Sequence, residues 1–326
     1  DGMESTLIFK VFGVLLFLAE LIYFKIADRL NIIDKPNQRS SHDRITLLGG
    51  GVVFYFGVLL YSIWFGVPHQ WFLAGLTLIA GISFLDDIRP IRSSVRLVFH
   101  FAAMLLMFNE WGLFSDFPIW YVLIALVFCT GVINAFNFMD GINGITGAYS
   151  FVVLLVLSFI NKQVVDFIDH DYLYTVLIAV AVFNFFNFRK NAKCFAGDVG
   201  AVGIAFIILF ALGKLMLVTG DFSYIVILAV YGVDSVLTII HRLMLRENIF
   251  DAHRKHAYQI MANELKLPHV VVSSFYAAMQ ALVIGGYFVF FENRWTYIAV
   301  VISLLCVAYV LFMKKFFYLH QQRMAV

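Results

Sequence analysis

Charge is scarce in this sequence. Asp, Glu, Lys and Arg make up 13% of the 326 residues, whereas hydrophobic residues make up 62%. A soluble globular domain carries about 25% charged residues, so that class is excluded, and the hydrophobic content excludes a disordered chain. With 5 prolines and 22 glycines, a collagen-like chain is excluded as well. The composition therefore predicts a polytopic membrane protein.

Cysteine is also scarce, and its spacing excludes two further classes. The three cysteines lie far apart, without a CxxC pair: Cys129, Cys194 and Cys306. This pattern supports neither a disulfide framework nor a zinc knuckle. No internal repeat is visible, which argues against a transporter built from inverted repeats.

Long apolar runs are what the sequence has in abundance. A membrane-spanning helix needs about 20 apolar residues. We count eleven runs, with ten or twelve as alternatives, and expect an all-α transmembrane bundle that forms one domain over residues 1–326. Asp1 and Gly2, before Met3, are interpreted as a cloning remnant. The runs lie at about 5–26, 48–66, 69–85, 95–109, 118–136, 145–161, 171–188, 201–219, 222–240, 269–290 and 295–313.

The distribution of Lys and Arg predicts the orientation of the bundle. If the N-terminus is outside, 19 of the 23 cationic residues fall on the cytoplasmic side, as the positive-inside rule requires. We therefore expect the C-terminus on the cytoplasmic side of the membrane. Carboxylates, histidines and glycines, which active sites commonly use, concentrate in the same inner loops. These loops lie near 27–47, 86–94, 137–147, 189–200 and 241–268.

The first two inner loops hold a glycine run and an acidic pair. Gly49–Gly51 indicate either close helix packing or a backbone that turns sharply or approaches a ligand. Arg39 and His42 precede them and are candidates for binding an anionic headgroup, or lipid phosphate alone. Asp86 and Asp87 end an apolar run, where the helix dipole disfavours carboxylates. This placement predicts a site for a cation, or for an anionic ligand with a metal.

The third inner loop is INAFNFMDGINGITG. Its polar residues recur at about one helical turn, so we expect them to share one helix face at the membrane end: Asn134, Asn137, Asp140 and Asn143. Such polar groups are expensive against lipid and indicate function. Carboxylate, amide and phosphate oxygens are hard ligands that suit Mg²⁺ rather than zinc.

The last two inner loops add an acid and a cationic cluster. Asp198 stands between glycines at a helix start, where it is either a cap or, beside the other acids, a metal ligand. Phe195 precedes it as a candidate stacking platform. His253, Arg254 and His256 are more consistent with phosphate contact than with a zinc site. A solvated amphipathic face is the alternative for this loop.

These segments resemble a known family. DKPNQRSSH with GGG, LDDIRP, NAFNFMDGINGITG, FAGDVG and HRKH occur here in the order found in the polyprenyl-phosphate N-acetylhexosamine-1-phosphate transferases, of the glycosyltransferase 4 type. The triple histidine of the MraY-type branch is absent, so the WecA-type branch, which initiates O-antigen, is closer. The resemblance implies transfer of an N-acetylhexosamine 1-phosphate from a UDP-sugar to undecaprenyl phosphate. The products are undecaprenyl-diphospho-sugar and UMP, in the first membrane step of lipopolysaccharide or other cell-surface polysaccharide synthesis. The resemblance also implies a multi-pass protein of the bacterial cytoplasmic (inner) membrane, with its active site on the cytoplasmic face.

The resemblance also implies roles for the acidic residues. Asp198 corresponds to the principal Mg²⁺ ligand and Asn137 to a second ligand, with Mn²⁺ as a substitute metal. Asp86 and Asp87 correspond to the paired aspartates assigned to the lipid-phosphate nucleophile and its activation. Asp140 belongs to the motif NAFNFMDGINGITG, together with Asn143, and is a further catalytic candidate.

For the substrates, the resemblance implies that Phe195 stacks on uracil and that Asn143 contacts uridine. His253, Arg254 and His256 correspond to a loop that contacts the sugar diphosphate. Expected partners are undecaprenyl phosphate, a UDP-N-acetylhexosamine and membrane lipids, without nucleic acid, and a homodimer is compatible with the sequence. The donor sugar, GlcNAc or a 6-deoxy-N-acetylhexosamine, is left open.

Other activities and mechanisms are weighed against this one. A multipass carrier or lipid flippase for a phosphorylated substrate would place its polar groups near the membrane midplane, rather than at the inner ends. A CDP-alcohol phosphatidyltransferase would need a D-x-x-D-G pattern, of which only Asp140-Gly141 is present. Because a phosphate monoester is largely dianionic at neutral pH, direct attack is preferred over an aspartyl-phosphate intermediate.

Overall fold

The computed structural model describes residues 2–36, 40–249 and 253–324. Within these ranges the chain is almost entirely helical, with one two-stranded ladder. The elements are α1 (Gly2–Arg29), β1 (Ile33–Asp34), β2 (Thr46–Leu47), α2 (Val52–Phe65), α3 (Gln70–Ile88), α4 (Ser93–Glu110), α5 (Leu113–Asp116), α6 (Trp120–Met139), α7 (Ile145–Gln163), α8 (His170–Asn187), α9 (Gly197–Thr219), α10 (Ala229–Met244), α11 (Ala257–Asn263), α12 (His269–Val289) and α13 (Arg294–Met324). Short 3₁₀ helices, Phe222–Leu228 and Phe291–Asn293, precede α10 and α13.

Each of the eleven apolar runs corresponds to a helix of this bundle. Eight helical segments are long and apolar enough to cross a membrane, which makes the chain a multi-pass membrane protein. The other three runs form α2, with 14 residues, and α4 and α8, with 18 each. At 1.5 Å per residue, α2 extends about 21 Å, less than the ~30 Å hydrocarbon core. The mainly α-helical fold is thus as predicted.

Helix α9 is the centre of the bundle. Its side chains are apolar on all sides, as expected for a helix that other helices surround, and residues 199–213 are all buried. Phe72 of α3 stacks on Phe210 of α9 with ring centroids 4.0 Å apart. Asp198 lies in the first turn of this helix, so its backbone is held by the most densely surrounded element of the fold.

The glycine run of the first inner loop packs directly against the chain that leads into α9. The N–H groups of Gly50 and Gly51 donate to the carbonyls of Phe195 and Ala196 at 2.8 and 3.0 Å. A Cβ on Gly51 would lie 2.2 Å from the Cα of Gly200, and Gly49 turns the chain with φ +83°. Close packing and a sharp turn therefore both account for these glycines.

Candidate active site

Loops from one end of the bundle converge on a cavity of about 430 Å³. It lies where α3, α6 and α8 end and where α9 and α12 begin. Seven of the residues singled out in the sequence line it: His42, Asp87, Asn137, Asp140, Asn143, Phe195 and Asp198. The sequence therefore identified four inner loops that meet at one site.

Other candidates do not line this cavity. Asn134, on α6, is exposed and one helical turn away from Asn137. The remaining ones are Asp86, His253, Arg254 and His256. Arg39 lies outside the described residues.

Asp87 holds the first turn of α9. Its two carboxylate oxygens accept the backbone N–H groups of Asp198 at 2.8 Å and Val199 at 3.0 Å. These N–H groups have no partner within their own helix, so a carboxylate from α3 satisfies them. Gly197, with φ +71°, lets the backbone approach, since a Cβ there would lie 2.6 Å from Asp87 Oδ2. Asp87 therefore positions Asp198, which lines the same cavity.

The side chain of Asp198 does not cap its own helix, so the capping alternative for this residue is wrong. Its Oδ2 instead accepts a hydrogen bond from Arg96 Nη1 at 3.3 Å. The same nitrogen donates to Asp86 Oδ2 at 2.5 Å, while Asp86 Oδ1 accepts the N–H of Ile91. Arg96 thus joins the two acids, and Asp86 lies behind the cavity wall. Arg96 lies outside the motif LDDIRP, which is why sequence reasoning missed it.

The polar residues of the third loop do not share one helix face, contrary to the prediction. Helix α6 ends at Met139 and the chain turns at Asp140, because Gly141 and Gly144 follow. Asn137 and Asp140 nevertheless line the cavity together. Asp140 Oδ1 accepts the hydroxyl proton of Thr146 at 2.6 Å, and burial raises the pKa of Asp140 to about 6.

Asn143 fastens this loop to its neighbours. Its Nδ2 donates to the backbone carbonyls of Arg189 and Lys190 at 3.1 and 3.0 Å. Its own backbone carbonyl accepts a hydrogen bond from Ser273 Oγ at 2.7 Å. Its Oδ1, by contrast, is buried without a hydrogen-bond partner among the described residues. Asn143 therefore presents one unsatisfied acceptor at the cavity wall.

Aromatic rings line the side of the cavity formed by the first and fourth loops. The ring of His42 meets that of Phe195 edge-on, with centroids 4.6 Å apart. Phe195 is fixed through its N–H, which donates to the carbonyl of Leu47 at 2.8 Å. His42 Nε2 lies 3.6 Å from Asp34 Oδ2. One face of Phe195 is suited to stack against a planar ligand.

The cationic loop is tied into the protein rather than open to the cavity or to water. His256 is buried, and its Nδ1 lies 3.1 Å from Asp234 Oδ1. Asp234 also accepts from Tyr276 at 2.6 Å. Lys255 pairs with Glu247. The solvated-face alternative is therefore wrong, and diphosphate contact by His256 does not follow from this geometry.

His253 and Arg254 are held in the same segment. Arg254 is 6% exposed. Burial and the neighbouring cationic groups lower the pKa of His253 to about 3, so its ring is neutral at physiological pH. His253 therefore adds no positive charge to this segment at neutral pH.

The oxygen ligands of the cavity fit a hard divalent cation. Among the described residues, no three His, Cys, Asp or Glu side chains are grouped as a preformed metal cage. Mg²⁺, however, is usually held by one or two carboxylates together with water and substrate phosphates. Asp140, Asp198 and the amide of Asn137 line one cavity and supply such a set. The residues present are thus compatible with Mg²⁺.

A family model described as glycosyl transferase family 4 matches residues 69–233, which is half of the chain. The chain belongs to this family. The matched segment of this glycosyl transferase runs from the start of α3 into α10, and it includes Phe195 and three acids of the cavity: Asp87, Asp140 and Asp198. The superfamily predicted from the motifs is confirmed.

Bacterial relatives of this family 4 glycosyl transferase carry more specific names. "Probable undecaprenyl-phosphate N-acetylglucosaminyl 1-phosphate transferase" of Bacillus subtilis (strain 168) is 24% identical over 72% of this chain and 70% of its own length. "Undecaprenyl-phosphate alpha-N-acetylglucosaminyl 1-phosphate transferase" of Escherichia coli (strain K12) is 26% identical over 76% and 74%. The protein of that name in Salmonella typhi is 25% identical over 86% and 79%.

Proposed function

We propose that this chain transfers an N-acetylhexosamine 1-phosphate from a UDP-sugar to undecaprenyl phosphate and releases UMP. The observation that carries the proposal is the single cavity in which Asp87, Asp140 and Asp198 lie beside Asn137 and Phe195. The names of the relatives support undecaprenyl phosphate as the acceptor. The polar groups gather at one end of the bundle, which favours an enzyme over a carrier with a midplane site.

The proposal assigns Mg²⁺, or Mn²⁺ in its place, to Asp198 and Asn137, with Asp140 beside them. When bound, the cation would offset the negative charge of the diphosphate and the departing UMP. Asp87 would keep Asp198 in place through the first turn of α9. Arg96 would balance the two carboxylates that it joins.

The acceptor and the donor are both anionic, so the chain must bring them together against their repulsion. The lipid phosphate has a second pKa near 6 and carries its nucleophilic oxygen without a general base at neutral pH. Its oxygen attacks the sugar-bound phosphorus, a new P–O bond forms, and the bond to the UMP oxygen breaks. UMP leaves with that electron pair. The residues of the cavity act by alignment and charge balance, as is general for phosphoryl transfer.

The uracil of the donor is assigned to Phe195. Stacking on an aromatic ring is worth about 1–3 kcal/mol per base. The unsatisfied Oδ1 of Asn143 is suited to accept the N–H of a uracil ring. Such a contact would satisfy a buried acceptor and would discriminate against a base that lacks this donor.

The proposal includes eleven spans with the N-terminus outside and the cavity on the cytoplasmic face of the bacterial inner membrane. Cysteine labelling tests this orientation. A label at Ser93 or Asn191 should be protected from an impermeant reagent in intact cells, and a label at Ser115 should react. Reaction at Ser93 but not at Ser115 would reverse the orientation.

The activity is tested with purified protein, undecaprenyl phosphate and a panel of UDP-sugars that includes UDP-GlcNAc and a 6-deoxy-N-acetylhexosamine donor. We expect UMP and a lipid whose mass equals undecaprenyl diphosphate plus one sugar, and we expect EDTA to abolish both until Mg²⁺ is restored. Absence of UMP with every donor would contradict the proposal.

A further inference from the structure

The loop implied to contact the sugar diphosphate places a different residue at the cavity than the motifs indicate. Gln259 lines the cavity, whereas His253, Arg254 and His256 do not. It is the third residue of α11, and it is 7% exposed. Neither the motifs nor the names of the relatives assign it a role.

The two ends of the Gln259 amide are distinguished by the backbone. Its Oε1 accepts the N–H of His256 at 3.2 Å, and because a backbone N–H only donates, the other atom must be the NH₂ group. This NH₂ lies beside Gly141, where a Cβ would be 3.1 Å away. It makes no hydrogen bond to any of the described residues. An amide that lines the cavity, with its oxygen fixed and its NH₂ without a partner among the described residues, is suited to donate to a ligand oxygen.

The surrounding contacts hold this amide in place. Asp234 accepts the N–H of Ala257 at 3.2 Å as well as the contact from His256, and it thereby fixes the start of α11. Tyr258 donates to the carbonyl of Phe138 at 2.8 Å and joins α11 to the end of α6. The side chain of Gln259 therefore has little freedom to turn away from the cavity.

We propose that Gln259 is a donor-recognition residue whose NH₂ group donates to an oxygen of the hexose 1-phosphate, the part of the UDP-sugar that is transferred. This inference rests on the proposed function. The amide lies beside Gly141, which directly follows Asp140, so it is near an acid assigned to the surroundings of the cation. Gly141 keeps this approach open, because any side chain there would meet Tyr258 and Gln259.

The test uses Gln259→Glu, which keeps an acceptor for the N–H of His256 but cannot donate from the other oxygen. We expect normal thermal unfolding, a KM for UDP-GlcNAc raised about ten- to a hundredfold, and an unchanged inhibition constant for UMP, which lacks the hexose 1-phosphate. Gln321→Glu, on an exposed part of α13, controls for the added charge and should match the wild type.

A second variant separates recognition from helix capping. Gln259→Met is neutral and of similar length, so it should also raise the KM for UDP-GlcNAc, and it should lower the unfolding temperature because the capping contact is lost. The inference is overturned if Gln259→Glu has the wild-type KM, or if KM for UDP-GlcNAc and the inhibition constant for UMP rise equally. A wild-type protein that releases no UMP would instead refute the proposed function.

Discussion

The carboxylate of Asp87 accepts the backbone N–H of Asp198 at 2.8 Å, although 111 residues separate the two. Asp87 therefore fixes the backbone position of Asp198, and both acids line the cavity. Asp198 is left with its own carboxylate directed at Arg96 and the cavity rather than at its helix. The two acids thus have different tasks, and their substitutions should have different signatures.

Asp87→Asn should lower stability as well as activity. An amide offers one acceptor oxygen where two backbone N–H groups need partners, and an unsatisfied buried donor costs about 1–3 kcal/mol. Thermal unfolding in detergent measures the loss. Asp116→Asn, on an exposed segment at the other end of the bundle, is the matched control and should unfold like the wild type. An Asp87→Asn protein with wild-type stability would show that these hydrogen bonds do not hold α9.

Gly51→Ala should prevent correct folding or abolish activity. The added Cβ would lie 2.2 Å from a backbone atom of Gly200, so two chain segments must separate at the entrance to the site. Gly131→Ala is the control, because no atom lies within 4 Å of a Cβ there. Alanine is the better helix former by about 1 kcal/mol, so this variant should be as stable as the wild type or more so. Equal yields and activities for both variants would contradict the packing described here.

His256→Ala should destabilise the protein without changing its choice of donor. Removing the imidazole takes away a hydrogen-bond partner of the buried Asp234 carboxylate, and leaving a buried polar group unsatisfied costs about 1–3 kcal/mol, or more when the group is charged. Thr238→Val is a milder change to the same network, because the hydroxyl donates to Asp234 at 3.1 Å. For both variants, the ratio of rates with UDP-GlcNAc and a 6-deoxy donor should equal that of the wild type. A changed ratio with normal stability would instead support a contact of His256 with the donor, as the motifs imply.

The membrane helices were predictable from the sequence because each contains a long apolar run. Such a run predicts a helix regardless of how that helix packs against its neighbours. The meeting of four inner loops was predictable for a related reason, since alternate loops of a bundle lie at the same end. The spacing of Asn134 to Asn143 was misleading, because a helical period does not reveal that Asp140 and the following glycines end the helix.

The partners of individual atoms were not predictable. Nothing in the pattern LDDIRP distinguishes Asp87, which caps α9, from Asp86, which pairs with Arg96. The cluster HRKH indicated phosphate contact, yet His256 is 1% exposed and lies beside Asp234, on a helix that carries no motif. Gln259 escaped notice because an amide in a short helix has no distinctive sequence signal. These assignments depend on contacts between distant segments.

The most direct test compares the wild type with Asp198→Asn. Both are purified and given undecaprenyl phosphate, Mg²⁺ and the donor that supports turnover, and UMP release is measured together with the unfolding temperature. We predict UMP and lipid product in equal amounts from the wild type. The variant should keep its unfolding temperature, because Asp87 rather than Asp198 caps α9, and should lose activity by orders of magnitude, because the charge for the cation is gone. Near-normal UMP release from Asp198→Asn would contradict the account of this cavity as the site of phosphoryl transfer.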